Sequence, residues 1–192
     1  MSHCALLDVN DSVLVVIDVQ AAFLDKLAPA QGRQLLRRIC WLIRVAHCLE
    51  VPLVVTAEDI PSLGGVHPEL ADALPPDTQV YNKNIFGLAA DPVILAAIER
   101  TGRRTAALTG LETDVCVAQS AIGLLQAGYR VAAVTDAIGS PGTGHAFGLD
   151  RMRSAGALVL GFQGLDYEGL RTVARADRFR EQHAELVNPW PD

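Results

Sequence analysis

The sequence predicts an α/β fold: a three-layer, doubly wound sheet of six parallel strands with helices on both faces. Short runs rich in β-branched residues alternate with amphipathic stretches along the 192-residue chain. Those runs are apolar throughout instead of alternating with polar residues, as strands covered on both faces must be. No repeat, low-complexity segment or Gly/Ser linker divides them. A single domain is therefore expected over residues 1–192, with its core at about 12–162 and a C-terminal helix and tail at 163–192.

Each element has its own signal. SVLVVIDVQ (12–20) reads as a buried strand. In RQLLRRICWLIRVAHCLE (33–50), Leu35, Leu36, Ile39, Leu42, Ile43, Ala46 and Leu49 recur at helical spacing, with Arg37, Arg38 and Arg44 opposite them. VPLVVTA (51–57) and DTQVYNK (77–83) are the next strands. DPVILAAIER (91–100) opens a helix with Asp91 as cap and Pro92 at its first position. RTAALTGL (104–111) is the fourth strand, and DVCVAQSAIGLLQAG (114–128) the helix after it, closed by Gly128. RVAAVTDAI (130–138) and GALVLGF (156–162) are two more strands with a helix of about a dozen residues between them, and a last helical stretch runs through about 165–187.

Composition narrows the function. Half the residues are apolar and a fifth are charged, as in a globular protein rather than a disordered one. The net charge is -6 and no basic block stands out, so nucleic acid is not expected as a partner. No apolar run approaches the ~18 residues of a membrane span, and the start MSHCALLDVNDS does not read as a signal peptide. Cys4, Cys40, Cys48 and Cys116 form no Cys-x-x-Cys pair, which points to reduced thiols and a cytoplasmic location. Fourteen Arg stand against two Lys, Lys26 and Lys83, so each Lys is a departure from the chain's preferred cation.

In a sheet of this kind the ligand lies beyond the carboxyl ends of the strands, where strand order reverses. Three ends carry reactive groups: Asp18 after the first strand, Lys83 after the third and Cys116 after the fourth. A thiol acts as a nucleophile only as thiolate, so its proton must be taken up or its pKa lowered. A helix start and a cation such as Lys83 favour the anion, and Asp18 could accept the proton. Taken singly, Asp18 is as well explained as a turn former, Lys83 as a surface cation and Cys116 as a small buried residue.

The segments VIDVQAAF, NKNIFG and TGLETDVCVAQSA resemble the three signature segments of the isochorismatase-like cysteine hydrolases. The resemblance runs from about residue 12 to residue 162 and implies a Rossmann-like six-stranded sheet with a catalytic triad of Asp18, Lys83 and Cys116. Carried over residue by residue, Asp18 is the base that takes the thiol proton and protonates the leaving amine. Cys116 is the nucleophile, and Lys83 orients the charged pair. The resemblance also implies a cis peptide between Leu111 and Glu112, aiming the amides of Glu112 and Cys116 at an oxyanion. Gln20, Phe23, Phe86 and His145 are expected around the substrate pocket, while Phe23 and Phe86 read equally well as core residues and Gln20 either orients Asp18 or caps the turn.

Metal-binding relatives, the nicotinamidases, carry an Asp-x-His motif after the second strand. Here TAEDIPSLGGVHPEL has Asp59 followed by Ile60 and Pro61, and His67 as its one histidine, too few ligands for a zinc-type site. The expectation is the metal-free branch, with no cofactor, and a small amide or carbamoyl compound as substrate, cleaved at its C–N bond through a thioester. The thiol also argues against isochorismate, because the vinyl-ether hydrolases of the family need none. A redox-sensitive thiol and a non-catalytic oligomeric scaffold are the other readings. GSPGTGHAFG (139–148) is one residue off a dinucleotide fingerprint and follows the wrong strand, so no nucleotide is expected there. Trp190 in the tail NPWPD is expected to dock on the body or on a neighbouring subunit, and family members often form homo-oligomers.

Overall fold

The computed structural model describes residues 6–186, so Cys4 and the docking of Trp190 lie outside the described residues. Its centre is a six-stranded parallel sheet in the order β3-β2-β1-β4-β5-β6. The strands are β1 (Ser12–Ile17), β2 (Leu53–Glu58), β3 (Val80–Lys83), β4 (Thr105–Leu111), β5 (Arg130–Gly139) and β6 (Leu158–Leu160). Among the described residues, nine α-helices connect and follow them: α1 (Ala21–Leu24), α2 (Pro29–Cys48), α3 (Ile60–Leu63), α4 (Pro68–Ala71), α5 (Pro92–Arg100), α6 (Ala118–Gln126), α7 (Gly144–Ser154), α8 (Phe162–Leu170) and α9 (Val173–Gln182).

Side chains along β1 go alternately to two cores, because successive residues of a strand face opposite ways. Leu14 and Val16 join α2, α8 and α9 through Ile39, Ile43, Phe162 and Phe179. Val13, Val15 and Ile17 join α5, α6 and α7 through Ile94, Ile98, Leu124 and Met152. Both sides of every residue in β1 and β4 are thus covered, and both strands are buried along their full length. At about 25 cal/mol per Å2, burying one such Val or Ile side chain contributes roughly 1.5–3 kcal/mol. This explains the unbroken apolar runs.

Several boundaries differ from the expectation, each for a local reason. Helix α2 begins at Pro29, four residues before its apolar period shows, because a proline at the first helical position gives up an N–H that would be unpaired anyway. Strand β1 stops at Ile17, since Asp18 turns into the left-handed region at φ 50. The helix expected from residue 114 opens as a wider π-turn over Thr113–Val117 before α6 takes over. The last helical stretch divides at Arg171, whose φ of 68 cannot continue a right-handed helix. The Asp91 cap does appear, its carboxylate accepting from the N–H groups of Val93 and Ile94.

Strands β1 and β4 adjoin each other although two strands and their crossovers separate them in the chain. The order reverses between them. Gly110 makes this approach possible: at φ 118, a Cβ there would collide with the carbonyl oxygen of Ile17. Gly110→Ala is accordingly expected to cost roughly 2–6 kcal/mol, from a forced φ and an overfilled interior. Gly65→Ala, whose Cβ would meet nothing within 4 Å, serves as the control in urea unfolding. Equal midpoints for the two variants would refute this account of the switch point.

Candidate active site

The carboxyl ends of four adjacent strands meet at one place. Ile17 is in register with Thr56 on one side and Gly110 on the other, so Asp18 emerges between β2 and β4. The N–H of Asp18 donates to Thr56 O, and the Thr56 hydroxyl donates to Asp18 Oδ1 at 2.8 Å. Glu58 and Lys83 are register partners at the ends of β2 and β3, and the N–H of Asp59 donates to Lys83 O. Beyond β4 the π-turn carries Cys116 back over these ends, held by Val115 and Val117 N–H groups donating to Glu112 O.

Lys83 Nζ is the hub. It lies 2.9 Å from Asp18 Oδ2, 3.2 Å from Glu58 Oε2 and 3.6 Å from Cys116 Sγ. Cys116 Sγ in turn donates to Glu58 Oε2 at 3.2 Å. The side chains of Asp18 and Lys83 have no exposed surface, whereas that of Glu58 keeps 19%. Burial pushes the Asp18 carboxyl above its ordinary range, and Lys83, Thr56 and Cys116 pull it only part of the way back. Burial works against the Lys83 ammonium, but Asp18, Cys116 and Glu58 together outweigh it and hold the lysine charged. The Cys116 thiol is pushed well up by burial and by Asp18, Lys83 opposes this, and Glu58 pushes the same way. The sequence reading, with one acid and one cation, leaves open a lowered thiol or a base that takes its proton, and counts Lys83 as favouring the anion. Two carboxylates against one ammonium in a dry site reverse that direction, and the resting thiol keeps its proton.

Glu58 is the residue that sequence reasoning missed. The signal was there: it ends β2, one of the strand ends at which a site is to be sought, but the expected strand closed at Ala57. Its place also explains Gln20. That side chain is fully buried, its Oε1 accepts from the N–H of Glu58, and its Nε2 donates to the carbonyls of Glu58 and Gly64. Gln20 therefore clamps the tip of β2. Phe23 is likewise a core residue, 7% exposed in the α2-side cluster. Phe86 is half exposed, with its ring 5.9 Å from Lys83 Nζ, and stands at the mouth.

The peptide bond between Leu111 and Glu112 is cis. Glu112 reaches outward to an ion pair with Lys26 Nζ at 3.0 Å, and that ammonium also caps the Phe23 ring at 4.7 Å. Both lysines of the chain thus serve this region, one buried and one at its rim. His145 shares a hydrogen bond with the Thr113 hydroxyl at 3.0 Å. It lines a groove with Gln31, Gln34, Arg38 and Asp136. Helix α7 packs closely here: a Cβ at Gly148 would meet Thr113 at 2.7 Å.

Two sets of residues bear on a metal. His67 caps α4 by accepting the Glu69 N–H on Nδ1, and Asp59 sits at φ 39 before α3. Donor atoms of Asp18, Glu58 and Cys116 do lie within 4.8 Å of one another. The Lys83 ammonium already stands among them at contact distance, meeting their charge as a cation would, so the donor set does not fit a further ion.

Comparison with known proteins places this geometry. Residues 12–163 match the model of the isochorismatase domain. Isochorismatase domain-containing protein 2 of Bos taurus is 31% identical over 186 residues, covering 95% of this chain and 86% of its own. The solved structure of the MAR1 ribonuclease from Caenorhabditis elegans superposes with a TM-score of 0.86 at 25% identity, covering 98% of this chain and 95% of that one. The YcaC gene product of Escherichia coli, described as an octameric hydrolase of unknown specificity, superposes with a TM-score of 0.83 at 24% identity, covering 97% and 95%. The chain belongs to the isochorismatase-domain family, a membership that supports a hydrolase.

Proposed function

We propose that this protein is a thiol hydrolase that cleaves the C–N bond of a small amide or carbamoyl compound through a thioester on Cys116. The observation that carries this reading is the convergence of Cys116 Sγ, a buried ammonium and buried carboxylate at the switch point of the sheet. The thiol gives its proton to a carboxylate of the site, Asp18 in the residue-by-residue carry-over. The thiolate adds to the acyl carbon, and the amides of Glu112 and Cys116 hold the oxyanion. The amine leaves, and water cleaves the thioester. Lys83 compensates the negative charge that appears on sulfur.

The other readings are less well supported. A redox sensor wants an exposed thiolate at neutral pH, and Cys116 is 3% exposed with its thiol pushed up. Turnover of a polyanion, which the ribonuclease name of one neighbour suggests for that protein, would bring phosphates against Glu58 and Glu112 in a chain of net charge -6. The octameric neighbour and the exposed Phe86, Phe147 and Val93 favour a homo-oligomer. No helix among the described residues is long and apolar enough to cross a membrane.

Cys116→Ser and Asp18→Asn are each expected to lower amide or carbamoyl turnover at least ~100-fold, with the acyl adduct on Cys116 visible by intact mass only in the wild type. Turnover that survives Cys116→Ser would end the thioester reading.

Because the folded site favours the protonated thiol, its ionised fraction rises only on the alkaline side of the ordinary value of 9.0. Alkylation of Cys116 by iodoacetamide should therefore lag that of free cysteine from about pH 7 to 9 and climb above it. Lys83→Met removes the opposing cation, so it should slow alkylation further. It should also lower stability by about 3–5 kcal/mol in urea unfolding, by stranding Asp18. Alkylation faster than free cysteine at pH 7 would overturn the charge balance assigned to the site.

A further inference from the structure

The two carboxylates of the site stand at different depths. Asp18 has no exposed side-chain surface, and its Oδ2 lies 2.9 Å from Lys83 Nζ. Glu58 Oε2 lies 3.2 Å from the same ammonium and accepts from Cys116 Sγ at 3.2 Å. Among the described residues no donor meets the other oxygen, Oε1, and it is not one of the buried unpaired atoms. Oε1 therefore faces outward, in the 19% of the Glu58 side chain that stays open. One ammonium between two carboxylates leaves a charge of minus one, and Glu58 is the open side of that cluster. Lys26, the cation at the rim, is already held by Glu112 and by the Phe23 ring. Phe86 stands half exposed at the mouth, its ring 5.9 Å from Lys83 Nζ. A free carboxylate oxygen near an open aromatic face is a receptor for a cation. Gln20 fixes it in place, binding both the N–H and the C=O of Glu58.

We propose that Glu58 sets the substrate class: Oε1 takes an ammonium or guanidinium group carried close to the scissile carbon. The site then selects cationic amides or carbamoyl compounds and turns away those that bear a carboxylate. This rests on the thiol-hydrolase reading, with Asp18 as its base, and names the substrate within it. In the free protein Glu58 stands, after burial and Asp18, among the groups that push the Cys116 thiol up. A cation bound at Oε1 offsets that charge. The matching substrate thus favours the thiolate that attacks it, and a neutral or anionic one does not. Discrimination is strong where a buried polar group is left unpaired by the wrong ligand, and Glu58 is such a group once an acyl compound covers the mouth.

Three methanethiosulfonates that differ in charge test this on Cys116: the cationic 2-aminoethyl, the neutral methyl and the anionic 2-sulfonatoethyl reagent. In each, the cysteine sulfur forms an S–S bond and methanesulfinate leaves, so the leaving group needs no proton. Rates at neutral pH are read from the mass of the Cys116 peptide and divided by those of 2-mercaptoethanol. In the wild type the cationic reagent should then exceed the neutral one roughly 10-fold or more, the size of a charge-assisted hydrogen bond, and the anionic one should fall below it. Glu58→Gln should bring the cationic-to-neutral ratio close to that of 2-mercaptoethanol, and Glu58→Asp should keep part of it. A merely structural loss would change all three rates alike and leave the ratio where it was. Among amides with one leaving group, kcat/KM should follow the same order: glycine p-nitroanilide, then p-nitroacetanilide, then succinic acid mono-p-nitroanilide. Equal reagent ratios in wild type and Glu58→Gln, or a preference for the anionic reagent, would overturn the assignment to Glu58 and leave the thioester reading standing. Cleavage of the cationic anilide that survives Cys116→Ser would overturn the hydrolase reading instead, with the reagent ratios still deciding where the cation binds.

Discussion

A single ammonium, sealed from water, organises this protein's chemistry. Lys83 reaches from the end of β3 to touch Asp18, Glu58 and Cys116, which stand at or beyond the ends of β1, β2 and β4. Alone, a fully buried charge would be too costly to retain. Two carboxylates make it tolerable, and it in turn makes two carboxylates tolerable beside each other. The charge sum without the sulfur is minus one, and burial raises the pKa of the Asp18 carboxyl and the Cys116 thiol alike. Burial first, and that sum after it, keep the thiol protonated at rest.

The parallel sheet was legible in the sequence because its strands are buried on both faces, and VLVVI, LVVTA and TAALTGL can have little other use. Of the site, Asp18, Lys83 and Cys116 were legible through the rule of strand ends, together with a bias toward Arg that made Lys83 conspicuous. Glu58 was not, because a boundary placed one residue early left it in a loop. Gln20 was visible, but its partner was not, since a side chain that binds main chain across 38 residues leaves no periodic trace. The direction of the thiol's pKa also escaped sequence reasoning. It depends on how many charges share one dry volume, and spacing along the chain carries no such count.

The scarcity of lysine acquires a physical reading here. Arg carries a planar, weakly hydrated fork suited to surfaces and backbone carbonyls, as Arg38 at Asp136 O and Arg171 at Leu7 O show. A compact ammonium with three donors is what fits among two carboxylates and a sulfur at 2.9–3.6 Å. Lys26 at the rim bridges Glu112 and the Phe23 face, again a point contact rather than a fork.

The neighbourhood of β1 and β4 has a consequence for how the protein comes into being. Ser12 pairs with Thr105, so this ladder can close only after β2, β3 and their crossovers have been made or looped out. Such distant parallel pairings are slow to find, because chain entropy is lost before the contact repays it. Asp18 and Cys116 lie on opposite sides of that seam. The Cys116 thiol therefore meets its charged partners only as the most long-range contact of the sheet forms. Assembly of the fold and assembly of the candidate site are one event.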